Sequence, residues 1–133
     1  PPARVLLVED NELNSEIAAA LLESLGLSVE CAFDGREALE ILGAAEPGHF
    51  AVVLMDIQMP VMNGLEATRA IRASERPDLA ALPVVVLSAN AFAEDVLESK
   101  RAGADAHLSK PISLKDLAAA LRGILGEGAP SQC

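Results

Sequence analysis

The chain has 133 residues, a length that suits one domain, and 51% of them are hydrophobic, which is enough to build a core. The formal net charge of -10 argues against direct nucleic-acid binding, which normally requires a basic face. The longest apolar runs are far shorter than the roughly 20 residues of a membrane-spanning helix. Composition therefore favours a folded acidic domain over a disordered chain, a nucleic-acid binder or a membrane span.

Short apolar runs alternate with longer amphipathic segments in the first half of the chain. They predict, in chain order, a strand at residues 4–8, a helix at 11–25, a strand at 27–32, a helix at 35–42 and a strand at 51–55. Asp10 or Asn11 can cap the first helix, and Gly26 can end it. Cys31 falls in the second strand and is interpreted as a small buried hydrophobic residue.

The second half of the chain continues the alternation. A loop at 58–63 is followed by a helix at 64–73, a loop at 74–82, a strand at 83–87, a helix at 93–102, a strand at 106–108 and a helix at 113–125. Ser113 can cap the last helix, with Asp116 three residues further on. We expect one domain over residues 3–125 and a disordered tail at 126–133.

Five strands that alternate with five helices predict an α/β fold, in which a parallel sheet is covered by helices on both faces. The crossovers between parallel strands should be right-handed. In sheets of this kind the functional crevice lies beyond the carboxyl ends of the strands. The residues that follow each strand are therefore the candidate site residues.

Reactive side chains follow four of the five predicted strands. Glu9 and Asp10 come after the first strand, and Asp56 comes directly after the third. Ser88 follows the fourth strand, and Lys110 comes two residues after the fifth. Each alone has an ordinary explanation, such as helix capping for the acidic pair. Together they predict that three carboxylates, a hydroxyl and an ammonium converge at one edge of the sheet.

This combination suits phosphoryl chemistry. Crowded carboxylates repel one another, and a hard divalent cation with oxygen ligands relieves the repulsion, which predicts a Mg²⁺ site that Mn²⁺ could also occupy. Phosphoryl transfer needs an in-line nucleophile and positive charge around the phosphoryl oxygens. Asp56 can supply the nucleophile, Lys110 the charge and Ser88 a hydrogen bond.

The same residues resemble the receiver domain of two-component response regulators over about residues 3–125. The resemblance is carried by Glu9-Asp10, by Met55-Asp56-Ile57-Gln58-Met59-Pro60 with Met62, Asn63 and Gly64, by Ser88-Ala89 and by Lys110-Pro111. Receivers attached to hybrid sensor histidine kinases are the most similar. The resemblance implies a flavodoxin-like (βα)5 fold, a doubly wound parallel five-stranded sheet with the order 2-1-3-4-5.

The resemblance also implies a role for each site residue. Asp56 would be the phosphoacceptor, and Ser88 and Lys110 would bind the phosphoryl group. The implied Mg²⁺ ligands are the carboxylates of Glu9, Asp10 and Asp56 and the backbone carbonyl of Gln58. The implied partner is a histidine kinase or a histidine phosphotransfer domain. The domain itself would lie in the cytoplasm, within a parent protein that could be membrane-anchored.

The first helix has more apolar residues than one buried face needs. One interpretation is a helix that is well buried against the sheet. The other is a docking surface for the partner's histidine-bearing helices, formed by Leu13, Asn14, Ile17 and Pro111 beside the Asp56 edge. The chain itself is not expected to be a histidine kinase, because no ATP-binding segment is present and neither histidine lies in a suitable helix.

His107 departs from the family pattern. Many receivers carry Tyr or Phe three residues before the lysine, and the resemblance implies that this side chain works with Ser88 as a switch. A histidine here would change charge with pH. The ordinary alternative for His107 is a half-buried strand residue.

Three other functions fit parts of this pattern. A degenerate receiver would act only in docking, but all the chemical residues are present. A haloacid-dehalogenase phosphatase also forms an aspartyl phosphate. That class carries the motif Asp-x-Asp after its first strand, whereas Asp56 is followed by Ile57 and Gln58. A nucleotide-binding enzyme is disfavoured because no glycine-rich phosphate loop follows any strand.

Overall fold

The computed structural model describes residues 3–57, 62–88, 93–110 and 112–125, so the predicted tail at 126–133 lies outside the described residues. The elements, in chain order, are β1 Arg4–Val8, α1 Glu12–Ser24, β2 Ser28–Ala32, α2 Gly35–Ala44, β3 Val52–Asp56, α3 Gly64–Arg72, α4 Pro77–Ala80, β4 Val84–Ser88, α5 Ala93–Ala102, β5 Ala106–Ser109 and α6 Leu114–Leu125. Within the described ranges, no helix is long and apolar enough to cross a membrane.

The five strands form one parallel sheet in the order β2-β1-β3-β4-β5, which confirms the predicted topology. β3 and β4 are buried along their whole length because helices cover both faces. Alternate strand residues point to opposite faces. Leu7 and Leu54 pack with α1 and α6 on one face, and Leu6 and Val53 pack with α2 and α3 on the other. This double core holds the carboxyl ends of the central strands in place.

Helix caps fix where α1 begins and ends. Asn11 rather than Asp10 caps α1, since its side-chain oxygen accepts a 2.9 Å hydrogen bond from the N–H of Asn14. Gly26 follows α1 with a φ of 87°, a left-handed conformation that glycine adopts without strain. Asp10, two residues after β1, does not cap the helix and is exposed.

β3 and β4 each extend one residue further than predicted, to Asp56 and Ser88. The parallel hydrogen-bond ladder continues past both residues. The N–H of Ile57 donates to the carbonyl of Leu87 at 2.9 Å, and the N–H of Lys110 donates to the carbonyl of Ser88 at 2.8 Å. Both site residues are therefore held by the sheet rather than by a loop.

Two local predictions were wrong. The predicted loop at 74–82 contains the one-turn helix α4, which starts at Pro77, where the missing proline N–H removes no helical hydrogen bond. Cys31 is exposed rather than buried, because β2 is an edge strand with a neighbour on one side only. The hydroxyl of Ser15 lies 3.6 Å from the Cys31 sulfur.

Arg72 at the end of α3 ties three parts of the chain together. Its guanidinium donates to the carbonyls of Ala80, Leu82 and Gly103, and it pairs with Asp105 at 2.8 Å. These bonds connect α3 to the segment before β4 and to the turn before β5. No motif in the sequence singles out Arg72.

Candidate functional site

Three carboxylates meet where the neighbouring strands β1 and β3 end, as predicted. Glu9 and Asp10 follow β1, and Asp56 is the last residue of β3. One oxygen from each of the three carboxylates lies within 4.8 Å of the other two. Glu9 and Asp56 are each only 3% exposed, whereas Asp10 is exposed. The cluster thus offers three oxygen ligands, two of them shielded and one on the solvent side.

The ammonium of Lys110 joins two of these carboxylates. Its Nζ lies 3.1 Å from Oε1 of Glu9 and 2.9 Å from Oδ2 of Asp56. The backbone of Lys110 is fixed by its hydrogen bond to Ser88 at the end of β4. The sequence predicts Lys110 beside Asp56, but its bridge to Glu9 has no sequence signal.

Excess negative charge in a poorly hydrated place shifts two pKa values. Burial raises the pKa of the Glu9 carboxyl above its ordinary value and Asp56 adds to the rise, while Lys110 and a backbone N–H oppose it without cancelling it. Burial alone would lower the pKa of the Lys110 ammonium, but its hydrogen bonds to Asp56 and Glu9 outweigh burial and raise it. Burial and Asp56 therefore favour the protonated form of Glu9, and the two carboxylates favour the charged form of Lys110.

Gly64, the first residue of α3, lies directly against the backbone of Asp56. A Cβ at this position would collide with the carbonyl oxygen of Asp56. The N–H of Gly64 donates to the carbonyl of Ile57 at 2.9 Å, and its own carbonyl accepts from the buried hydroxyl of Thr68 at 2.7 Å. Only glycine allows this close approach, which sets the direction of the chain just after Asp56.

Ser88, the last residue of β4, is in contact with His107 of β5. The Oγ of Ser88 lies 3.1 Å from Nε2 of His107. Ser88 is 4% exposed, and His107 is half-buried on its strand, as its ordinary interpretation predicted. The ring of His107 is thus already turned toward Ser88 in this structure.

A groove of about 320 Å³ runs from the acidic site along α1. Glu9 and Lys110 line one end of it, and Asn14 and Ile17 of α1 line the side. Leu13 is 64% exposed and Ile17 is 53% exposed, so the outer face of α1 is not buried against the sheet. The interpretation of α1 as well buried against the sheet therefore holds for Ala18 and Leu22 but not for Leu13 and Ile17.

Two predicted site residues, Gln58 and Pro111, lie outside the described residues. Of the remaining predicted residues, the structure brings Glu9, Asp10, Asp56 and Lys110 together at one point, places Ser88 beside Lys110 and His107, and places Leu13, Asn14 and Ile17 on the adjacent face of α1. His49 is on the surface, paired with Glu30 at 2.8 Å.

The fold and the site together define a class of protein. A doubly wound parallel sheet that gathers an acidic cluster, a lysine and a buried serine at its carboxyl edge is the arrangement of a receiver-type signalling domain. A model of the response regulator receiver domain family matches residues 5–122. The chain belongs to the response regulator receiver family.

The relatives of this chain include a histidine kinase and a sensor protein. The peroxide stress-activated histidine kinase mak1 of Schizosaccharomyces pombe is 40% identical over 122 residues, which are 91% of this chain and 7% of mak1. The aerobic respiration control sensor protein ArcB of Escherichia coli is 44% identical over 123 residues, which are 92% of this chain and 15% of ArcB. The chain thus corresponds to a small part of each of these proteins.

Solved receiver structures superpose closely on the fold. The receiver domain of sensor histidine kinase PA1611 from Pseudomonas aeruginosa, which has a magnesium ion coordinated in its active site cleft, gives a TM-score of 0.84 at 34% identity, covering 96% of this chain and 100% of that one. The chemotaxis protein CheY4 of Vibrio cholerae gives a TM-score of 0.83 at 32% identity, covering 93% and 99%.

Proposed function

We propose that Asp56 accepts a phosphoryl group from a phosphohistidine of a histidine kinase or histidine phosphotransfer domain, in a reaction that requires Mg²⁺. The observation that carries this proposal is the contact of Lys110 with Asp56 at 2.9 Å inside a cluster of three carboxylates. A nucleophile, a cation for the phosphoryl oxygens and oxygen ligands for a metal thus share one site.

In the proposed step, a carboxylate oxygen of Asp56 forms a bond to phosphorus. The bond between phosphorus and the donor's imidazole nitrogen breaks, and its electron pair stays on that nitrogen, which takes up a proton. Lys110 then exchanges part of its contact with Asp56 for a phosphoryl oxygen, and Ser88 donates a hydrogen bond to another. The product is an acyl phosphate, which water can hydrolyse to restore the carboxylate.

The residues present fit a Mg²⁺ ion. The ligands that Glu9, Asp10 and Asp56 offer are all oxygens within 4.8 Å of one another, and burial, with Asp56 beside it, raises the pKa of Glu9. The backbone carbonyl of Gln58 is the further ligand that the family resemblance implies. A bound Mg²⁺ or Mn²⁺ supplies positive charge that lowers the repulsion between the acidic site and a phosphoryl group. The magnesium in the PA1611 receiver supports this assignment.

The donor's histidine-bearing helices dock, in this proposal, on the outer face of α1. Leu13 and Ile17 are large apolar side chains that are more than half exposed, and Ile17 lines the groove that opens on Glu9 and Lys110. A partner helix on this face would bring its histidine to the acidic site. Asn14 lies on the same groove, and Pro111 would complete the surface.

The receiver domain proposed here covers residues 3–125, within a parent protein such as a hybrid histidine kinase. The family match and the kinase relatives support that context. The histidine of its phosphodonor would be phosphorylated from ATP, which is present in the cytoplasm. The domain would therefore act in the cytoplasm. A docking-only receiver is disfavoured, since the chain keeps Asp56, Ser88 and Lys110, and Lys110 lies 2.9 Å from Asp56.

Binding of fluoroberyllate, a mimic of the phosphoryl group, tests this function without a partner protein. With Mg²⁺ present, we expect fluoroberyllate to shift the backbone NMR signals around Asp56, Ser88 and Lys110. The shifts should be absent when Mg²⁺ is removed with EDTA, and absent in Asp56→Asn. Equal shifts in the wild type and in Asp56→Asn would contradict the proposal.

A further inference from the structure

The first residue of α2 lies directly against the residues that lead into α3. The N–H of Gly35 donates to the carbonyl of Met62 at 3.2 Å. A Cβ at Gly35 would lie 2.7 Å from that carbonyl oxygen and 3.0 Å from the Cβ of Ala67 in α3. Only glycine leaves room for this contact. Gly35 carries no reactive group, so any effect that it has on the acidic site must pass through Met62.

A second close contact lies two residues after Met62. Gly64 packs against the carbonyl of Asp56, and the N–H of Gly64 donates to the carbonyl of Ile57 at 2.9 Å. At both glycines, an added Cβ would meet a backbone oxygen rather than a flexible side chain. Residues 62–64 are therefore held between the start of α2 and the end of β3. The position of α2 thus reaches the backbone of Asp56 through three residues.

The helix α2 is the firmer side of its contact with Met62. Leu42 is 1% exposed and anchors the helix in the core. Asp34 caps the start of the helix, since its carboxylate accepts from the N–H of Glu37 at 2.8 Å. Met62, in contrast, is half-buried. A side chain at Gly35 should therefore displace Met62 rather than α2.

A displacement next to Asp56 matters because Mg²⁺ requires nearly ideal octahedral geometry. Glu9 is held separately, by the hydrogen bond that its N–H donates to the carbonyl of Ala32 in β2 at 3.0 Å. A shift of Asp56 would therefore change the spacing of the ligand oxygens, which lie within 4.8 Å of one another. Groups that orient ligands without touching the metal commonly change metal affinity by about 10–100-fold.

We propose that Gly35 is a positioning residue for the metal site: it lets α2 pack against Met62 and so holds residues 62–64 where Gly64 supports Asp56. This inference rests on the proposed function, since it concerns the Mg²⁺ that phosphorylation of Asp56 would need. It gives the start of α2, which supplies neither a metal ligand nor a reacting group, a part in setting the affinity of the site.

The test compares the affinity of Gly35→Ala and Gly43→Ala for Mg²⁺, measured by amide NMR titration with magnesium chloride. Gly43 lies in the same helix with open space around it, so the new methyl group meets no other atom. We expect the Kd for Mg²⁺ to rise about tenfold in Gly35→Ala and to stay within about twofold of the wild type in Gly43→Ala. Equal Kd values in Gly35→Ala and the wild type would overturn the inference.

A loss of stability alone should not change the affinity of the folded chain for Mg²⁺. Leu121→Val removes one carbon from a fully buried side chain of α6, on the opposite face of the sheet from α2. It should lower the free energy of unfolding, measured with urea in EDTA, and leave the Kd for Mg²⁺ unchanged. A rise in Kd as large as that of Gly35→Ala would overturn the inference, because any destabilised chain would then bind Mg²⁺ poorly.

The rate of phosphorylation by acetyl phosphate separates metal affinity from other effects. In Gly35→Ala the rate should fall by about the same tenfold at limiting Mg²⁺ and should recover at saturating Mg²⁺. A loss that persists undiminished at saturating Mg²⁺ would overturn the inference, because Gly35 would then act on something other than metal binding.

A measurement on the wild type covers the case in which Gly35→Ala does not fold. Coupling between two sites is reciprocal, so bound Mg²⁺ should in turn affect the contact between Gly35 and Met62. The amide NMR signal of Gly35 should shift as Mg²⁺ is added, while that of Gly43 stays in place. A Gly35 signal that does not move, in a chain whose Asp56 signal does, would overturn the inference alone. A wild type in which no amide responds to Mg²⁺ would contradict the proposed function as well.

Discussion

The ammonium of Lys110 lies 2.9 Å from the carboxylate of Asp56, although the two residues are 54 positions apart in the chain. They meet because β3 and β5 flank β4 and all three strands end at the same edge. The Asp56 side chain is 4% exposed and that of Lys110 is 24% exposed, so their attraction is less screened than that of a surface ion pair. Asp56 therefore has a counter-charge in place before any phosphoryl group arrives.

Replacing Lys110 by methionine should destabilise the metal-free protein by about 3 kcal/mol, because two poorly exposed carboxylates lose their cation. In an Asp56→Asn background the same replacement should cost less, with a coupling energy of about 1–3 kcal/mol. Urea unfolding in EDTA measures both. Lys115→Met, at an exposed lysine of α6, is the matched control and should stay within about 0.5 kcal/mol. Equal losses from Lys110→Met in the two backgrounds would argue against the coupling.

Glu9→Gln should show a pH-dependent gain in stability in EDTA. Burial and Asp56 raise the pKa of Glu9 in the folded chain, so the folded state holds this proton more tightly than the unfolded state does. The resulting stabilisation is complete below the unfolded pKa, about 4.3, and is lost as pH rises through the folded pKa. Glutamine does not titrate, so Glu9→Gln does not lose this stabilisation. The free energy of unfolding of Glu9→Gln should therefore exceed that of the wild type by an amount that grows with pH and then levels off.

Thermal unfolding of the two proteins at a series of pH values measures this difference. Glu16→Gln, at an exposed glutamate of α1, is the control. Adding Mg²⁺ should reverse the order, because a bound cation stabilises most the chain that keeps all its ligands. An advantage of Glu9→Gln that shrinks as pH rises in EDTA would contradict the assigned pKa shift.

Gly64→Ala should cost about 2 kcal/mol or more and should slow phosphorylation, because the new Cβ collides with the carbonyl oxygen of Asp56. Gly123→Ala is the matched control. Gly123 lies inside α6 with open space around it, so the substitution should stabilise the chain by about 0.5–1 kcal/mol. Similar effects of the two substitutions in chemical unfolding would show that the close approach at Gly64 is unimportant.

Leu13→Asp should slow phosphoryl transfer from a histidine phosphotransfer partner by about tenfold or more, since a docking contact of more than 1 kcal/mol is replaced by a charge. Phosphorylation by acetyl phosphate should be unchanged, because that donor needs no docking surface. Leu97→Asp is the matched control, because it places the same charge on α5. Leu97 is 51% exposed and Leu13 is 64% exposed. Equal slowing by both substitutions, or equal loss with both donors, would count against docking on α1.

Most of the fold could be predicted because parallel strands buried on both faces read as short apolar runs. The strand ends at Asp56 and Ser88 were missed by one residue, since ladder hydrogen bonds rather than side-chain polarity decide where pairing stops. The exposure of Cys31 depends on its place in an edge strand, which the residues around it do not encode. The helix α4 is a single turn, too short to show a helical period.

The site was predictable for the same topological reason. Parallel strands end at one edge, so the residues after them meet there, as Glu9, Asp10, Asp56 and Lys110 do. Contacts that depend on how side chains turn within that edge were not predictable. The hydrogen bond between Ser88 and His107 is the clearest case, because it needs a ring orientation that no spacing in the sequence specifies.

The central claim is tested most directly by incubating the chain with acetyl phosphate and Mg²⁺ and weighing it by intact-protein mass spectrometry. The wild type should gain the mass of one phosphoryl group, and EDTA should prevent the gain. Asp56→Asn should gain nothing. Asp34→Asn, which exchanges one good helix cap for another at the start of α2, should be phosphorylated like the wild type. A phosphoryl group on Asp56→Asn, or none on the wild type, would contradict the account.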